Sequence, residues 1–367
     1  MNAFARSRRA GFTLMELLVV VAILSLLSVI VLPNISGSVN SRRYRDVARN
    51  VSAFIARCQS RAIGAREQKG VMFQPLAANT AASIDLYFAD TPDVYAGETT
   101  ASVAKLGSLS GTTAAVSFMV PCGTCGGSGA VGGSACGTCG GSGLLADGAT
   151  QGRLGIPAFT TDGDTIQFGG SGPKFKFLPS VGAVTMWYED NQNTRNTAWP
   201  RNPPSGYGGL PFKIWRQPTR GTGGALQIPK GVCIDLAASC LGTVPFSAFM
   251  TTNTADNTIS IMFDSTGKPS EIVHSGGLRT SVSAPIFLLV GEADLAGNAY
   301  DPEVSGAAGT PPTDRGGANW QYGDCVWLCI DNNSGVVKSG PVAGRTTSLL
   351  ASQRYVRLTI GYGTAEK

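Results

Sequence analysis

The chain has 367 residues, enough for one large domain or two modest ones, and its 48 Gly and 20 Pro indicate that much of it forms loops and turns. Hydrophobic residues make up 43% and charged residues 14%, and the net charge of +5 is uneven. The leader contributes three arginines, Glu16 contributes one negative charge, and residues 34–70 carry a net charge of +6. Residues 71–367 therefore carry a net charge of −3, which argues against a nucleic-acid binder that is basic throughout.

The first predicted element is an apolar segment of residues 12–32 that carries one charge, Glu16. About 20 apolar residues span a bilayer as a helix, so residues 12–33 are predicted to form a transmembrane helix. The arginines of residues 1–11 place the amino terminus in the cytoplasm and the rest of the chain outside. A cleaved secretory signal fits less well, since its apolar run usually has about 7–15 residues, and a plain anchor leaves Glu16 unexplained.

The junction between leader and helix resembles the class III signal of type IV prepilins and pseudopilins, in Gly11-Phe12-Thr13-Leu14-Met15-Glu16. The resemblance implies that a prepilin peptidase cleaves after Gly11, removing residues 1–11, and that the new amino terminus, Phe12, is N-methylated. It also implies storage in the bacterial inner membrane with the globular domain in the periplasm, followed by extraction into a pilus or pseudopilus. Pro33 matches the proline that members carry at the end of the span.

Glu16 becomes the fifth residue of the mature chain, and the physics assigns it a role in assembly. A buried carboxylate and a free amino-terminal cation each need a counter-charge. In a filament, Glu16 of one subunit can face the Phe12 amine of a neighbour, and this pair is satisfied only when subunits stack in register. Pairing within one subunit is an open alternative that would serve the membrane-stored form.

The helix is predicted to continue through residues 34–70, with Gly64 and Gly70 as candidate stops. Pro33 removes one backbone donor and is expected to kink the helix or loosen the preceding turn. Apolar residues recur at spacings of three and four and predict one stripe that packs against a β-domain. The stripe consists of Tyr44, Val47, Ala48, Val51, Phe54, Ile55, Cys58 and Ala62, with arginines on the remaining faces.

Residues 71–367 are predicted to form a β-rich globular domain, because short β-prone runs bounded by turn residues replace the helical pattern. One long helix followed by strands indicates an α+β fold in which the helix packs against an antiparallel sheet. The predicted strands are 83–88, 115–120, 165–168, 184–188, 258–263, 286–290, 325–330 and 355–360.

Two of these runs are similar to sequences of GspH/FimT-type pseudopilins. Residues 259–267 resemble their "I-x-F-x-x-x-G" strand and turn, and residues 327–337 resemble their last strand with its glycine turn. Residues 43–66 are similar to the end of their helix. Members are commonly about half this long, so large Gly-rich loop insertions are expected between roughly Asp90 and Ile228.

Four of the nine cysteines form a repeat in the Cys/Gly-rich insertion of residues 121–143. Two CxxC knuckles supply four thiolates to a tetrahedral zinc, and glycines allow the tight turns around it. The pattern favours a structural zinc bound by Cys122, Cys125, Cys136 and Cys139. Each half also matches the CxxCxGxG repeat of DnaJ-type zinc-binding regions. A disulfide-stapled glycine loop is the alternative, which an oxidising exterior favours.

The other cysteines are disulfide candidates or free thiols. Cys233 and Cys240 bracket a short segment and are expected to form a local disulfide, whereas Cys325 and Cys329 share one face of a single strand and cannot easily bridge each other. Disulfides that join Cys233 and Cys240 to Cys325 and Cys329 are the alternative, because the sequence leaves three connectivities of these four cysteines open. Cys58 lies on the helix stripe and is expected to be a buried free thiol.

No catalytic site is predicted, and no cofactor other than structural zinc is expected. His274 is the only histidine and lies in a loop-like stretch, so a surface or loop histidine is expected rather than a triad member. The Ser-x-x-Lys pairs at residues 171/174 and 265/268 are interrupted by Gly or Pro, and a Ser–Lys nucleophile needs its base held rigidly in reach.

The favoured function is that of a GspH-like minor pseudopilin, a structural subunit of the periplasmic pseudopilus of a type II secretion system. Its partners are then prepilin peptidase, the inner membrane, and other pilin or pseudopilin subunits through the amino-terminal helix. A FimT-like minor type IV pilin that binds DNA during uptake is the alternative, and a pilin of a longer filament is a third. DNA is not favoured, because the tail offers few cations: Lys338, Arg345, Arg354 and Arg357.

Overall fold

The structure is a computed structural model that describes residues 14–110, 113–146, 159–170, 174–188, 209–249, 258–274, 279–301, 316–344 and 346–361. Two α-helices lie in these ranges, α1 (Leu14–Ala65) and α2 (Leu349–Thr359), with short 3₁₀ helices at Phe246–Phe249, Ala293–Leu295 and Asn319–Gln321. The strands are β1 (Lys69–Leu76), β2 (Asn79–Asp90), β3 (Val103–Ser110), β4 (Thr113–Pro121), β5 (Ala130–Val131), β6 (Ser134–Ala135), β7 (Leu144–Ala146), β8 (Thr165–Phe168), β9 (Lys174–Leu178), β10 (Ala183–Tyr188), β11 (Phe212–Trp215), β12 (Thr219–Arg220), β13 (Leu226–Gln227), β14 (Val232–Leu241), β15 (Val244–Pro245), β16 (Ile259–Phe263), β17 (Pro269–His274), β18 (Arg279–Ser281), β19 (Ile286–Glu292), β20 (Val326–Ile330) and β21 (Val337–Pro341).

The second half of α1 packs against the main β-sheet, as the apolar stripe predicts. Every stripe residue from Tyr44 to Ala62 is at most 4% exposed, and the stripe shares one hydrophobic core with β1, β14, β16, β19 and β20. The helix passes through Pro33 and ends at Ala65. The chain turns into β1 at Arg66, whose φ of 53° is left-handed, so neither candidate glycine is the point where the helix stops.

The main sheet has twelve strands in the order β18-β17-β16-β1-β2-β14-β19-β20-β21, with β12 and β13 paired to β2 and β15 paired to β14. All its pairings are antiparallel. The central strands are buried on both faces; β14, β16 and β20 have almost no exposed positions. A long helix against an antiparallel sheet confirms the α+β architecture.

The residues that separate β2 from β12 in the sequence form a second sheet, in the region where loop insertions are expected. Its order is β11-β8-β9-β10-β4-β3, with β7 paired to β4. Ala104 of β3 exchanges two 2.8 Å backbone hydrogen bonds with Leu210, just ahead of β11, which closes the sheet into a small barrel. The described part of the insertion is therefore largely an ordered barrel rather than loops. Its core is rich in aromatic residues: Phe118, Phe168, Phe175, Phe177 and Phe212.

The barrel leaves and rejoins the main sheet at one point, where Thr219 of β12 pairs with Asp90 of β2. Arg61 of α1 reaches this point. Its guanidinium lies 3.7 Å from the Asp90 carboxylate, donates to the carbonyl of Thr222 at 3.1 Å, and stacks 4.2 Å from the centre of the Phe88 ring. One half-buried arginine thus ties the helix to the main sheet where the chain enters and leaves the barrel.

The run 355–360 is helix, not strand, and the prediction of a strand there was wrong. Ser348 caps the amino-terminal end of α2, and its hydroxyl accepts a hydrogen bond from the backbone N–H of Ala351 at 3.2 Å. Its buried residues, Ser352, Gln353 and Val356, follow helical spacing. Because Ser352 and Gln353 are polar, the apolar pattern alone does not reveal this face.

His274 was also predicted incorrectly, because it is not a surface or loop residue. It is the last residue of β17, is 2% exposed, and meets the Phe246 ring edge-on at 6.4 Å between ring centres. Burial lowers the pKa of the imidazole to about 4, so the ring is neutral at physiological pH.

Truncation of a stripe residue should destabilise the fold. Ile55 is fully buried, so Ile55→Ala should lower the free energy of unfolding by about 2–5 kcal/mol. Ile63, on the same helix but 51% exposed, is the matched control, and Ile63→Ala should cost about 1 kcal/mol or less. Urea unfolding followed by circular dichroism measures both, and equal losses would show that the stripe does not hold the helix.

Candidate metal centre and amino-terminal site

The amino-terminal residues implicated in processing lie only partly in the described chain. Gly11 and Phe12 lie outside the described residues. Glu16 is in the first turn of α1 and its side chain is exposed. Pro33 is within α1, but side chains at 27–40 lie outside the described ones, so the kink stays a prediction.

The first turns of α1 carry a continuous apolar surface. The large apolar side chains between Leu14 and Leu26 are 47% to 80% exposed. An exposed apolar patch of this kind marks a surface that meets lipid or another protein. The described residues include no helix that is long and apolar enough to cross a membrane. The span at 12–33 includes residues outside the described ones, and it stays a prediction.

The four cysteines of the repeat come together at one end of the barrel. Pro121 and Leu144 are the last pair of the β4–β7 ladder, and both knuckles lie beyond it. The backbone N–H of Cys122 donates to the carbonyl of Gly143 at 2.9 Å, and that of Cys136 donates to Gly129 at 2.8 Å. Each knuckle is therefore tied to the end of the other.

The sulfur positions match the ligand shell of a tetrahedral metal ion. All four Sγ atoms lie within 4.8 Å of one another. The Cys122–Cys136 sulfurs are 3.9 Å apart and the Cys125–Cys139 sulfurs 3.7 Å apart. Four sulfurs at the Zn–S distance of about 2.3 Å would be about 3.8 Å apart. Disulfide sulfurs would be about 2.05 Å apart, so these are separate thiols arranged around a common centre.

Glycines make this arrangement sterically accessible. Gly129 and Gly143 have φ values of 78° and 74°, which favour glycine. A Cβ on Gly129 would collide with the carbonyl oxygen of Gly141, and a Cβ on Gly143 with that of Gly127. Between the knuckles, β5 and β6 form a hairpin whose turn, Gly132-Gly133, has positive φ at both residues, as a type I′ turn requires.

Backbone donors favour the thiolate form of two of the four cysteines. The backbone N–H of Cys139 lowers the pKa of the Cys136 thiol to about 6, and that of Cys125 lowers the pKa of Cys122. Burial raises the pKa of Cys125, which accepts a hydrogen bond from the Gly129 N–H at 3.3 Å. Since thiolates are the form that binds metals, the donor set fits a metal of the zinc type. Among the described residues, no other group of three or more Cys, His, Asp or Glu converges in this way.

The remaining cysteines are free thiols, and the expected disulfides do not form in this structure. Cys233 and Cys240 pair with Gly291 and Phe287 of β19, positions about 13 Å apart along a strand. Cys240 and Cys329 flank Phe287 from opposite sides, about 9.5 Å apart across two strand spacings. Disulfides need Cα separations of about 4.4–6.8 Å.

Cys58 is a fully buried free thiol on the helix stripe, as predicted. Burial raises its pKa to about 12, and it does the same for Cys240 and Cys329. These thiols remain protonated and unreactive at neutral pH. They contrast with Cys136, whose pKa is depressed.

One family model matches the chain: the prokaryotic N-terminal methylation motif, over residues 6–32. The motif indicates a type IV pilin-like precursor. It implies processing by prepilin peptidase and assembly with other pilin subunits. No curated protein and no solved structure matches the chain.

A side chain at Gly129 should weaken metal binding. Gly129→Ala should reduce Zn²⁺ affinity about tenfold or more, because the new Cβ displaces the N–H that supports Cys125. Gly126 has a similar left-handed φ of 59° but open space around it. Gly126→Ala is therefore the matched control, and it should bind Zn²⁺ more tightly than Gly129→Ala does. Competition with a chromophoric chelator measures both affinities; equal affinities would contradict the described geometry.

Proposed function

We propose that this protein is a minor subunit of a type IV pilus-like filament, and specifically a GspH-like pseudopilin of a type II secretion system. The observation that carries the proposal is the N-terminal methylation motif joined through one continuous helix to an antiparallel β-domain. The role is structural rather than catalytic. The barrel inserted between β2 and β12 supports a minor rather than a major subunit, because such an addition would crowd a densely packed filament.

Before assembly, the apolar part of α1 is held in the inner membrane with the amino terminus in the cytoplasm and both β-units in the periplasm. The arginine-rich leader supports this orientation, and the exposed apolar surface from Leu14 to Leu26 supports contact with lipid. After cleavage following Gly11, the same surface packs against the helices of neighbouring subunits.

Glu16 selects the register of that packing. Its carboxylate and the Phe12 amine of a neighbour are both costly to bury alone, and together they neutralise each other. The pair forms only when the displacement between two subunits along the filament axis brings the Glu16 carboxylate of one beside the Phe12 amine of the other. The charge therefore contributes specificity to an otherwise apolar interface.

We also propose that the four-cysteine cluster binds one zinc ion with a structural role. Four thiolates fill a tetrahedral shell and leave no open position for a substrate. The ion would join the two knuckles and close the end of the β4–β7 ladder. In an oxidising periplasm, the bound metal would protect the four thiols from disulfide formation.

Loss of the Glu16 charge should block assembly without blocking processing. Glu16→Gln should be cleaved after Gly11 at the normal rate but should be absent from sheared filaments, because the neighbour's amine has no counter-charge. Immunoblots of membrane and filament fractions measure both steps. Glu67→Gln removes a carboxylate just beyond α1 and should assemble normally. Normal incorporation of Glu16→Gln would refute the register mechanism.

Zinc should be present at about one ion per chain and should be lost when two ligands are removed. The Cys122→Ser/Cys125→Ser double variant tests this by elemental analysis of the purified protein. Cys58→Ala removes a thiol outside the cluster and should retain the metal. Metal-free wild-type protein with all four thiols oxidised would refute the zinc site.

A further inference from the structure

Three neighbouring strands of the barrel present a lysine-rich outer surface. In β8, β9 and β11, apolar residues point into the barrel core and the alternate residues point outward. Across β11, β8 and β9 the outward residues form two rows. The first row is Lys213, Gln167 and Lys174, and the second is Trp215, Thr165 and Lys176. The lysine–tryptophan face is defined as Lys174, Lys176, Lys213 and Trp215.

The charge of this face is of one sign. The seven strands of the barrel sheet contain four lysines and no Asp or Glu. The nearest carboxylates in the sequence lie in the loop before β8 rather than on the strands: Asp162 accepts from the backbone N–H of Ser180 at 3.0 Å, and Asp164 from that of Gln217 at 2.8 Å. Three of the four lysines of these strands therefore lie on the lysine–tryptophan face, and no strand of the sheet places a carboxylate beside them.

An aromatic ring lies within the same face. The Lys174 ammonium is 4.5 Å from the centre of the Trp215 ring, a cation–π contact. Trp215 is half-buried at the edge of the second row. The face therefore presents cations and a planar apolar surface together, which a purely solubilising lysine cluster does not require.

Two buried polar groups beside Trp215 have no hydrogen-bond partner among the described residues: the hydroxyl of Thr165 and the side-chain amide nitrogen of Gln217. Thr165 is 1% exposed and lies between Trp215 and Lys176. Buried polar atoms of this kind are uncommon and indicate a missing partner.

We propose that the lysine–tryptophan face binds single-stranded nucleic acid. Phosphates would pair with the three lysines, and an unpaired base would stack on Trp215, the combination by which single strands are bound without sequence preference. A duplex keeps its bases paired and stacked, so a sheet face could reach only its backbone. The face lies on the barrel, apart from the tail cations Lys338 and Arg357, and the proposal does not depend on the secretion role.

The test uses the full-length protein in detergent and a fluorescein-labelled oligothymidylate, with binding measured by anisotropy at graded salt. Substitution of Lys174, Lys176 and Lys213 by Gln should lower the slope of log affinity against log salt by about 2. Trp215→Leu should weaken binding about fivefold or more at constant salt. The matched control replaces three exposed lysines of the main sheet region by Gln and should retain most of the affinity: Lys230, Lys268 and Lys338.

Two further probes separate nucleic acid from charge alone. A duplex of equal length and inorganic polyphosphate should both bind more weakly than the single strand, and polyphosphate binding should not change in Trp215→Leu. The proposal is overturned if the wild-type protein does not bind the single strand at low salt. It is equally overturned if the control variant loses as much affinity as the face variant, or if polyphosphate or duplex binds as tightly as the single strand.

Discussion

The packing of one helix stripe against the main sheet is the constraint on which the rest of the structure depends. From Tyr44 to Ala62 the helix is buried along one line, and β1, β14, β16, β19 and β20 contribute to the same core. Because α1 is continuous, this contact also sets the direction in which its apolar first half leaves the globular part. A filament subunit needs such a rigid connection, since the positions of neighbouring helices and of neighbouring β-domains must agree.

The barrel extends this scaffold without disturbing it. Its entry and exit strands lie side by side, so the main sheet continues from β2 to β14 as it would without the insertion. At that point Arg61 joins the helix to the main sheet through the Asp90 carboxylate and the Thr222 carbonyl. At one end of the barrel, the four thiols are placed so that the proposed zinc ion would cross-link a short glycine-rich segment that has little apolar surface to bury. Under the proposed function, the helix and main sheet would take part in assembly, and the barrel surface would remain free to bind the proposed single strand.

Local features of the sequence were predicted well because their physics is local. The stripe follows from spacings of three and four in one segment, and the thiol cluster follows from two CxxC units fourteen residues apart. The closed barrel depends instead on a pairing between Ala104 and Leu210, which no local pattern indicates. The alternation of lysine and phenylalanine at 174–178 was the available signal for one of its strands.

The errors have different physical causes. Residues 355–360 are rich in β-prone types, but the Ser348 cap and the buried polar side chains of Ser352 and Gln353 define a helix. His274 looked like a loop residue because its burial comes from distant elements such as Phe246. The cysteine pairings failed because β14 is a long strand with an irregular register, which sequence spacing does not show.

The most direct measurement of the central claim is mass spectrometry of the amino-terminal peptide of the protein isolated from cells that contain prepilin peptidase. A type IV pilin-like precursor predicts a peptide that begins at Phe12 and carries one N-methyl group. Retention of Met1 to Gly11 on the chain, or cleavage at a site beyond the apolar segment, would contradict the account.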